Sequence, residues 1–374
     1  MRLETRAVHI GAEPDRETGA LAAPLNLSTT FLHAPDGTQD HGYLYQRDNN
    51  PTQVRLEHAA AALDGAVRSL LLSTGMAAAS CLLQALPSGG NVVFQRDLYH
   101  GVRELAEHWL PRWGLSSRFV DGRDSASVRA AVDGETRALW IETPSNPLMQ
   151  VVDIAACAEI AKANGALLVV DSTFATPILQ QPIALGADVV MHSATKYMGG
   201  HSDVMGGLLC FARDDALAAR CYEVRKLLGA SASPFNAWLI LRGLRSLPAR
   251  MAMHCANAEK IAAALAAHPA VSVVHYPGLA SHAGHALAAK QMKHPGGMLS
   301  FELAEGREAA LKVAGSTQLF HCATSLGGCE SLIEHRASVE GPHPVSPQGL
   351  LRVSVGLEHA DDLIEDLQQA LHGL

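Results

Sequence analysis

The stretch His192-Ser193-Ala194-Thr195-Lys196-Tyr197-Met198-Gly199-Gly200 puts a lysine just past an apolar run, Ala187-Asp188-Val189-Val190-Met191. Two hydroxyl residues precede Lys196 and two glycines follow it. Alone, this pattern fits a strand that runs into a solvated turn. Three other apolar runs end in residues that could do chemistry. Ser69–Ser73 leads into Thr74-Gly75-Met76, Arg137–Ile141 into Glu142-Thr143-Pro144-Ser145-Asn146-Pro147, and Leu167–Val170 into Asp171-Ser172-Thr173. In an open parallel sheet the carboxyl ends of the strands share one edge, and ligands bind there. A parallel sheet would therefore gather a glycine-opened helix start, Asn146, Asp171, Ser193, Thr195 and Lys196 at one edge.

These residue types suit one kind of chemistry. Free amides at a helix start favour phosphate, and the hydroxyls of Ser193 and Thr195 add donors. A lysine amine condenses with an aldehyde, and a carboxylate pairs with a pyridinium nitrogen. Those are the needs of pyridoxal phosphate (PLP) chemistry. None of the residues is specific by itself: Asp171 alone reads as a helix cap or a buried hydrogen-bonded carboxylate. Their convergence on one edge is the specific feature.

The elements needed to position them are legible in outline. The segment Leu56–Gly65 reads as a helix ending at glycine. Short apolar runs then alternate with helical stretches as far as Met205–Phe211, which reads as a further strand. Strands that are apolar on both faces and joined by helices imply a mostly parallel sheet covered on both sides. Beyond about Ser233 the alternation stops. Two long helices are expected over 234–244 and 254–269, then strands at 271–277, 296–303 and 350–358, and a closing amphipathic helix. The expected organisation is an N-terminal arm (1–50), a cofactor-binding domain (51–234) and a C-terminal domain (235–374).

With 374 residues, 48% of them hydrophobic, the chain can bury a large core. Its net charge of −8 and lack of a basic block argue against nucleic acid as a partner. The seven cysteines form no C-x-x-C pair, and an odd number without a secretory pattern implies reduced thiols and a cytoplasmic location. No apolar run reaches the roughly 20 residues of a membrane span. His282 and His285 share a helix-compatible spacing, but no carboxylate or cysteine completes a metal set. The G-x-G-x-x-G run of a nicotinamide-binding fold is absent.

The chain closely resembles the Cys/Met-metabolism family of PLP enzymes, the cystathionine γ-synthase, γ-lyase and β-lyase group. The resemblance rests on "YQRDNNPT" (45–52), "STGMAA" (73–78), "DLYHG" (97–101), "ETPSNP" (142–147), "VVDSTFATP" (169–177), "HSATKYMGGHSD" (192–203), "SLGGCESL" (325–332) and "LLRVSVGLE" (350–358), in that order. It implies a fold type I PLP-dependent transferase-like α/β architecture, with a mostly parallel seven-stranded sheet and a smaller C-terminal domain. It implies Lys196 as Schiff-base lysine and proton carrier, and Asp171 against the pyridinium nitrogen. Tyr99 would stack on the ring and act in proton transfer. Gly75, Met76, Ser193 and Thr195 would hold the phosphate, with Tyr45 and Arg47 reaching the phosphate of a neighbouring subunit. Asn146, Ser325 and Arg352 would hold the substrate carboxylate or the cofactor's O3′. The implied partners are small amino-acid substrates and further copies of the chain, as a dimer of dimers. The implied reaction is β- or γ-elimination or γ-replacement on sulfur amino acids or O-acyl-homoserine, of γ-synthase or γ-lyase type, with β-lyase or methionine γ-lyase chemistry as the alternative.

Four positions depart from the family pattern. Thr324 stands where cystathionine enzymes commonly carry glutamate. Gly101 stands where methionine γ-lyases carry cysteine. Glu104 occupies the place of a frequent arginine, with Arg103 one residue early. Leu44 precedes Tyr45, where some γ-synthases have an acid. The expected consequence is broad acceptance of thioethers and acyl-homoserines.

Overall fold

The computed structural model describes residues 1–341 and 344–374. The runs read as buried strands assemble into one sheet: β1 (Arg68–Leu72), β2 (Asn91–Gln95), β3 (Ser116–Val120), β4 (Thr136–Glu142), β5 (Leu167–Asp171), β6 (Val189–Ser193) and β7 (Gly207–Phe211). Their spatial order is β1-β7-β6-β5-β4-β2-β3. Strands β6, β5, β4, β2 and β3 pair in parallel, whereas β7 runs antiparallel to both β1 and β6. Reversal of β7 leaves β1 parallel to β6, so the ends of β1, β4, β5 and β6 meet at one edge. Alternate residues feed two cores: Val170 and Val190 pack on one face with the helix Pro51–Asp64, Val169 and Met191 on the other with the helix Gly75–Ala85. This is why the strands read as unbroken apolar runs.

Some elements differ from expectation for physical reasons. Strand β3 carries no such run, because it is an edge strand paired only with β2 and half exposed, with polar Ser116, Ser117 and Arg118. The stretch after Tyr99 is not one helix. An α-turn (His100–Glu104) gives way to a π-helical turn (Leu105–Trp109) and a 3₁₀ turn (Leu110–Trp113). Pro111 supplies no N–H to continue a regular ladder. Conversely, the two expected C-terminal helices are one helix of 33 residues, Pro234–Ala266, that passes through Pro248. Its first half packs Ile240, Leu244 and Met251 on the large sheet, and its second half packs Ala258, Ile261 and Leu265 on the smaller one. That two-sided burial outweighs one lost backbone bond.

The smaller sheet has the order β10-β11-β12-β9-β8, formed by β8 (Val271–His275), β9 (Met298–Leu303), β10 (His321–Cys322), β11 (Leu332–His335) and β12 (Leu350–Ser354). Here β10 and β11 are additions to the expected strands. Ser300 on β9 donates to the Pro147 carbonyl at 2.8 Å, tying this sheet to the loop after β4. Arg352 of β12, which pairs across to Ser300 and Glu334, is thereby brought to the edge of the large sheet.

Candidate active site

A cavity of about 340 Å³ opens at the carboxyl ends of β1, β4, β5 and β6. On one side Thr74 caps the helix Gly75–Ala85, its hydroxyl accepting the Ala77 amide at 2.9 Å. The amides of Gly75 and Met76 come too early in the helix to find an acceptor within it, and both residues line the cavity. Glycine is required at 75: a Cβ there would lie 2.8 Å from the Ser193 Cβ. Ser193 therefore abuts the helix start. Thr195 also lines the cavity, with its hydroxyl engaged by the Gly206 amide at 3.1 Å.

Across the cavity, Lys196 Nζ donates to Ser325 Oγ at 2.8 Å. Ser325 has φ +95°, a left-handed conformation that side chains rarely adopt and that costs energy. Burial, then the Arg352 charge, lowers the Lys196 amine to about 8. A useful fraction is thus the free base near neutral pH, the form a nucleophilic amine needs. Arg352 is wholly buried. Its Nη1 donates to Asn146 Oδ1 at 3.1 Å, and its Nη2 to the Ser325 carbonyl at 3.1 Å and to Glu334 at 2.8 Å. Burial lowers this guanidinium to about 10.

Two carboxylates line the same cavity. Asp171 accepts from the Thr173 hydroxyl at 2.5 Å and its amide at 3.0 Å. Burial nevertheless raises its pKa. Glu142 is raised well above the usual range by burial and by the charge of Asp171. It accepts the Tyr99 amide at 2.7 Å and the Asn146 amide at 2.8 Å. Carboxylates destabilised by burial favour a cationic partner. A protonated ring nitrogen against Asp171 would supply that cation, while the Gly75 and Met76 amides would hold a phosphate and the Lys196 amine an aldehyde, so the residues present fit PLP.

The chain matches the Cys/Met metabolism PLP-dependent enzyme family over residues 4–372. It belongs to that family. A cystathionine β-lyase of Coxiella burnetii is 43% identical over 99% of this chain and 97% of its own length. A cystathionine γ-synthase of Mycobacterium tuberculosis is 45% identical over 98% and 96%. The crystal structure of metB from Corynebacterium glutamicum superposes with a TM-score of 0.97 at 43% identity, covering 100% of this chain and 98% of that one. A cystathionine γ-lyase structure (CalE6) from Micromonospora echinospora gives 0.94 at 39%, with full coverage of both chains. The family's cofactor is PLP.

Of the residues expected in the family's site, eleven line this one cavity: Gly75, Met76, Tyr99, Asn146, Asp171, Ser193, Thr195, Lys196, Thr324, Ser325 and Arg352. Tyr45 and Arg47 do not. Arg47 lies over the Tyr45 ring at 5.6 Å and donates to the Lys226 carbonyl at 3.2 Å. Arg103 bonds the Arg96 carbonyl and packs on Phe119, and Glu104 faces His100 and His108 on the surface. Among the described residues no cluster of three or more His, Cys, Asp or Glu is placed to hold a metal, and no helix is long and apolar enough to cross a membrane.

Three parts of the site have no assigned role in the sequence. Glu142 sits inside a quoted motif but reads as an ordinary strand end. Glu334 reaches Arg352 only because β11 pairs with β12, and Arg336, just past the end of β11, lines the cavity. His192, which reads as a packing or hydrogen-bonding residue, bonds Asp64 at 2.9 Å, both buried behind the sheet edge. A pair 128 residues apart in sequence carries no local signal.

Proposed function

We propose that the chain is a trans-sulfuration enzyme of the cystathionine γ-synthase or γ-lyase type, acting by elimination or replacement at the side chain of an amino-acid substrate. One observation carries this most: a lysine amine, lowered to about 8, held 2.8 Å from Ser325 beside the Arg352–Asn146 pair. When bound, PLP withdraws electrons from the substrate's Cα and makes its C–H acidic. Arg352 and Asn146 orient the substrate through its α-carboxylate, for which a guanidinium fork is well matched. Ser325 holds the Lys196 amine in place to take the Cα proton and return it. Thr173 and the buried wall fix Asp171 to receive the ring nitrogen. Phe174, Val102 and Leu326 limit water at the reacting carbon.

The β-lyase reading stays as the second, because β-lyases of Coxiella burnetii and Lactococcus lactis are each 43% identical to the chain. A methionine γ-lyase-like cysteine at position 101 is disfavoured. A Cβ there would lie 2.7 Å from the Tyr99 ring and 3.0 Å from Met76 Sδ. Product identification with cystathionine, cysteine, homocysteine, methionine and O-acyl-homoserine plus a thiol tests the assignment. Pyruvate from cystathionine marks β-elimination, 2-oxobutyrate γ-elimination, and a new thioether γ-replacement. No product from any of them would refute the proposal.

The working unit is a dimer that shares its sites, paired into a tetramer in the cytoplasm. The arm (1–50) reaches the neighbouring cavity with Tyr45 and Arg47, residues 51–234 carry the cofactor, and residues 235–374 supply Ser325 and Arg352. Support comes from Leu21, Leu27 and Leu32 of the arm, which are 76%, 64% and 88% exposed in the single chain. Such apolar exposure favours a partner surface.

A further inference from the structure

Arg225 lies outside the cavity, in the last turn of the helix Ala216–Leu228, and is only 2% exposed. Its guanidinium joins two parts of the chain that each lead to phosphate-binding residues. The first is β1. Nη1 of Arg225 donates to Glu57 Oε1 at 2.6 Å and to the Leu71 carbonyl at 3.1 Å. Glu57 Oε1 also accepts the Leu71 amide at 2.8 Å. Strand β1 is at the edge of its sheet, and an edge leaves outward N–H and C=O groups in need of partners. The ion pair supplies both at Leu71. Just beyond, the strand leads into the helix start at Gly75.

The second part is the N-terminal arm. Nη2 of Arg225 donates to the Asp48 carbonyl at 2.8 Å. The same end of the helix, with the loop after it, adds three contacts. Ser231 Oγ donates to the Arg47 carbonyl at 2.8 Å, Arg47 Nη1 to the Lys226 carbonyl at 3.2 Å, and Lys226 Nζ pairs with Asp48 Oδ2 at 3.0 Å. Lys226 and Ser231 are partly exposed, and an exposed ion pair contributes little. Arg225 is buried and tied to Glu57, so it is the firmest hold on the arm. The Arg47 side chain itself is exposed in the single chain and lines no part of that chain's own cavity.

We infer that Arg225 is a positioning residue that acts on the neighbouring subunit's site: it sets the backbone at Asp48 so that Arg47 meets the phosphate held there. This rests on the shared-site reading above. Glu57 and β1 are the rigid anchor, and the fork of Arg225 spans anchor and arm. Without that span the arm would become ordered only when phosphate binds. The ordering costs conformational entropy, which is subtracted from affinity.

The test titrates PLP, followed by absorbance, into the apo forms of wild type, Arg47→Ala, Arg225→Lys, Arg225→Met and the Arg47→Ala/Arg225→Lys double variant. Lysine keeps a charge for Glu57 but cannot span Glu57, Leu71 and Asp48 together. Arg47→Ala should bind PLP at least about tenfold more weakly, the scale of one charge-assisted hydrogen bond. Both Arg225 variants should also bind more weakly, and the double variant no more weakly than Arg47→Ala alone, because Arg225 works through Arg47. Losses that multiply in the double variant would overturn the inference. So would wild-type affinity in both Arg225 variants, or loss of the wild-type assembly in both by sedimentation, which would make Arg225 merely structural. If Arg47→Ala binds PLP as wild type does, the shared site fails and the inference with it. A second readout locates the effect. At one free PLP concentration below saturation, borohydride should fix less pyridoxyl on Lys196 of Arg225→Lys than of wild type. Excess Lys196→Ala subunits, mixed in under conditions that allow exchange, give that site an intact arm, so the yield should return to the wild-type level. A yield that stays low would place the defect in the variant's own site, through Leu71, and overturn the inference.

Discussion

Replacing Glu142 with glutamine probes how the site holds Tyr99 and Asn146 at once. One carboxylate oxygen accepts the Tyr99 amide at 2.7 Å and the other accepts the Asn146 amide at 2.8 Å. Glutamine has nearly the same shape but only one acceptor oxygen. Its amide group would point donors at a backbone N–H, leaving one buried N–H without a partner. That costs about 1–3 kcal/mol. An opposing effect is present, because Glu142 is destabilised by burial and by the charge of Asp171, and glutamine removes that repulsion. The lost acceptor is a direct contact within a buried site, so it outweighs the longer-range relief. The expected net effect is a loss of about 1–2 kcal/mol in stability. Cofactor affinity should weaken about tenfold if most of that loss falls on the bound state. Chemical denaturation of the apo and holo proteins, with absorbance titration of PLP into the apo protein, measures both. A Glu142→Gln variant with unchanged stability and affinity would refute the claim that this carboxylate positions Tyr99 and Asn146.

Three further outcomes are expected. Thr324→Glu should raise the kcat/KM ratio of cystathionine over methionine by at least about tenfold, because a charge-assisted hydrogen bond to the distal ammonium contributes about 1.5–3 kcal/mol; an unchanged ratio places that ammonium elsewhere. His254 is buried and its pKa is lowered to about 4, chiefly by burial. The unfolded chain therefore binds a proton that the folded chain refuses between about pH 6.5 and 4, so stability falls as pH falls through that window, by about 3 kcal/mol at its lower end. His254→Gln should flatten this part of the stability profile measured by denaturation, and an equally steep profile would contradict it. Mixing Arg47→Ala and Lys196→Ala subunits under conditions that allow exchange should recover part of the lost activity, since a hybrid dimer holds one intact site; a mixture that stays inactive refutes the shared site.

The strands of the large sheet and its site edge are legible in the sequence because their signals are local. Each of β1, β4, β5 and β6 is an apolar run that ends in a polar residue, and burial on both faces produces that run. Gly75 can be singled out at the helix start, although the reason it must be glycine, contact with Ser193, depends on a strand far away in sequence. What stays hidden is what tertiary packing decides. Strand β3 is half polar because it lies at an edge. Pro248 falls between the two expected helices, and burial of the single long helix against both sheets overrides the break it would impose. The ion pair of Arg352 with Glu334 cannot be read from spacing, because it arises when β11 lays its side chains beside β12. The carboxylate role of Glu142 is hidden for a different reason: it acts through two backbone amides, which leave no mark on the identity of the residues that donate them.

The central claim is that Lys196 is the residue that holds the cofactor covalently and moves the Cα proton. Borohydride reduction of the purified holoenzyme, followed by proteolysis and mass spectrometry, tests it directly. The account predicts a pyridoxyl mass on the peptide containing Lys196 and on no other lysine, with the label lost in Lys196→Ala while PLP still binds reversibly. A label on a different lysine, or none on a protein that turns over substrate, would contradict it.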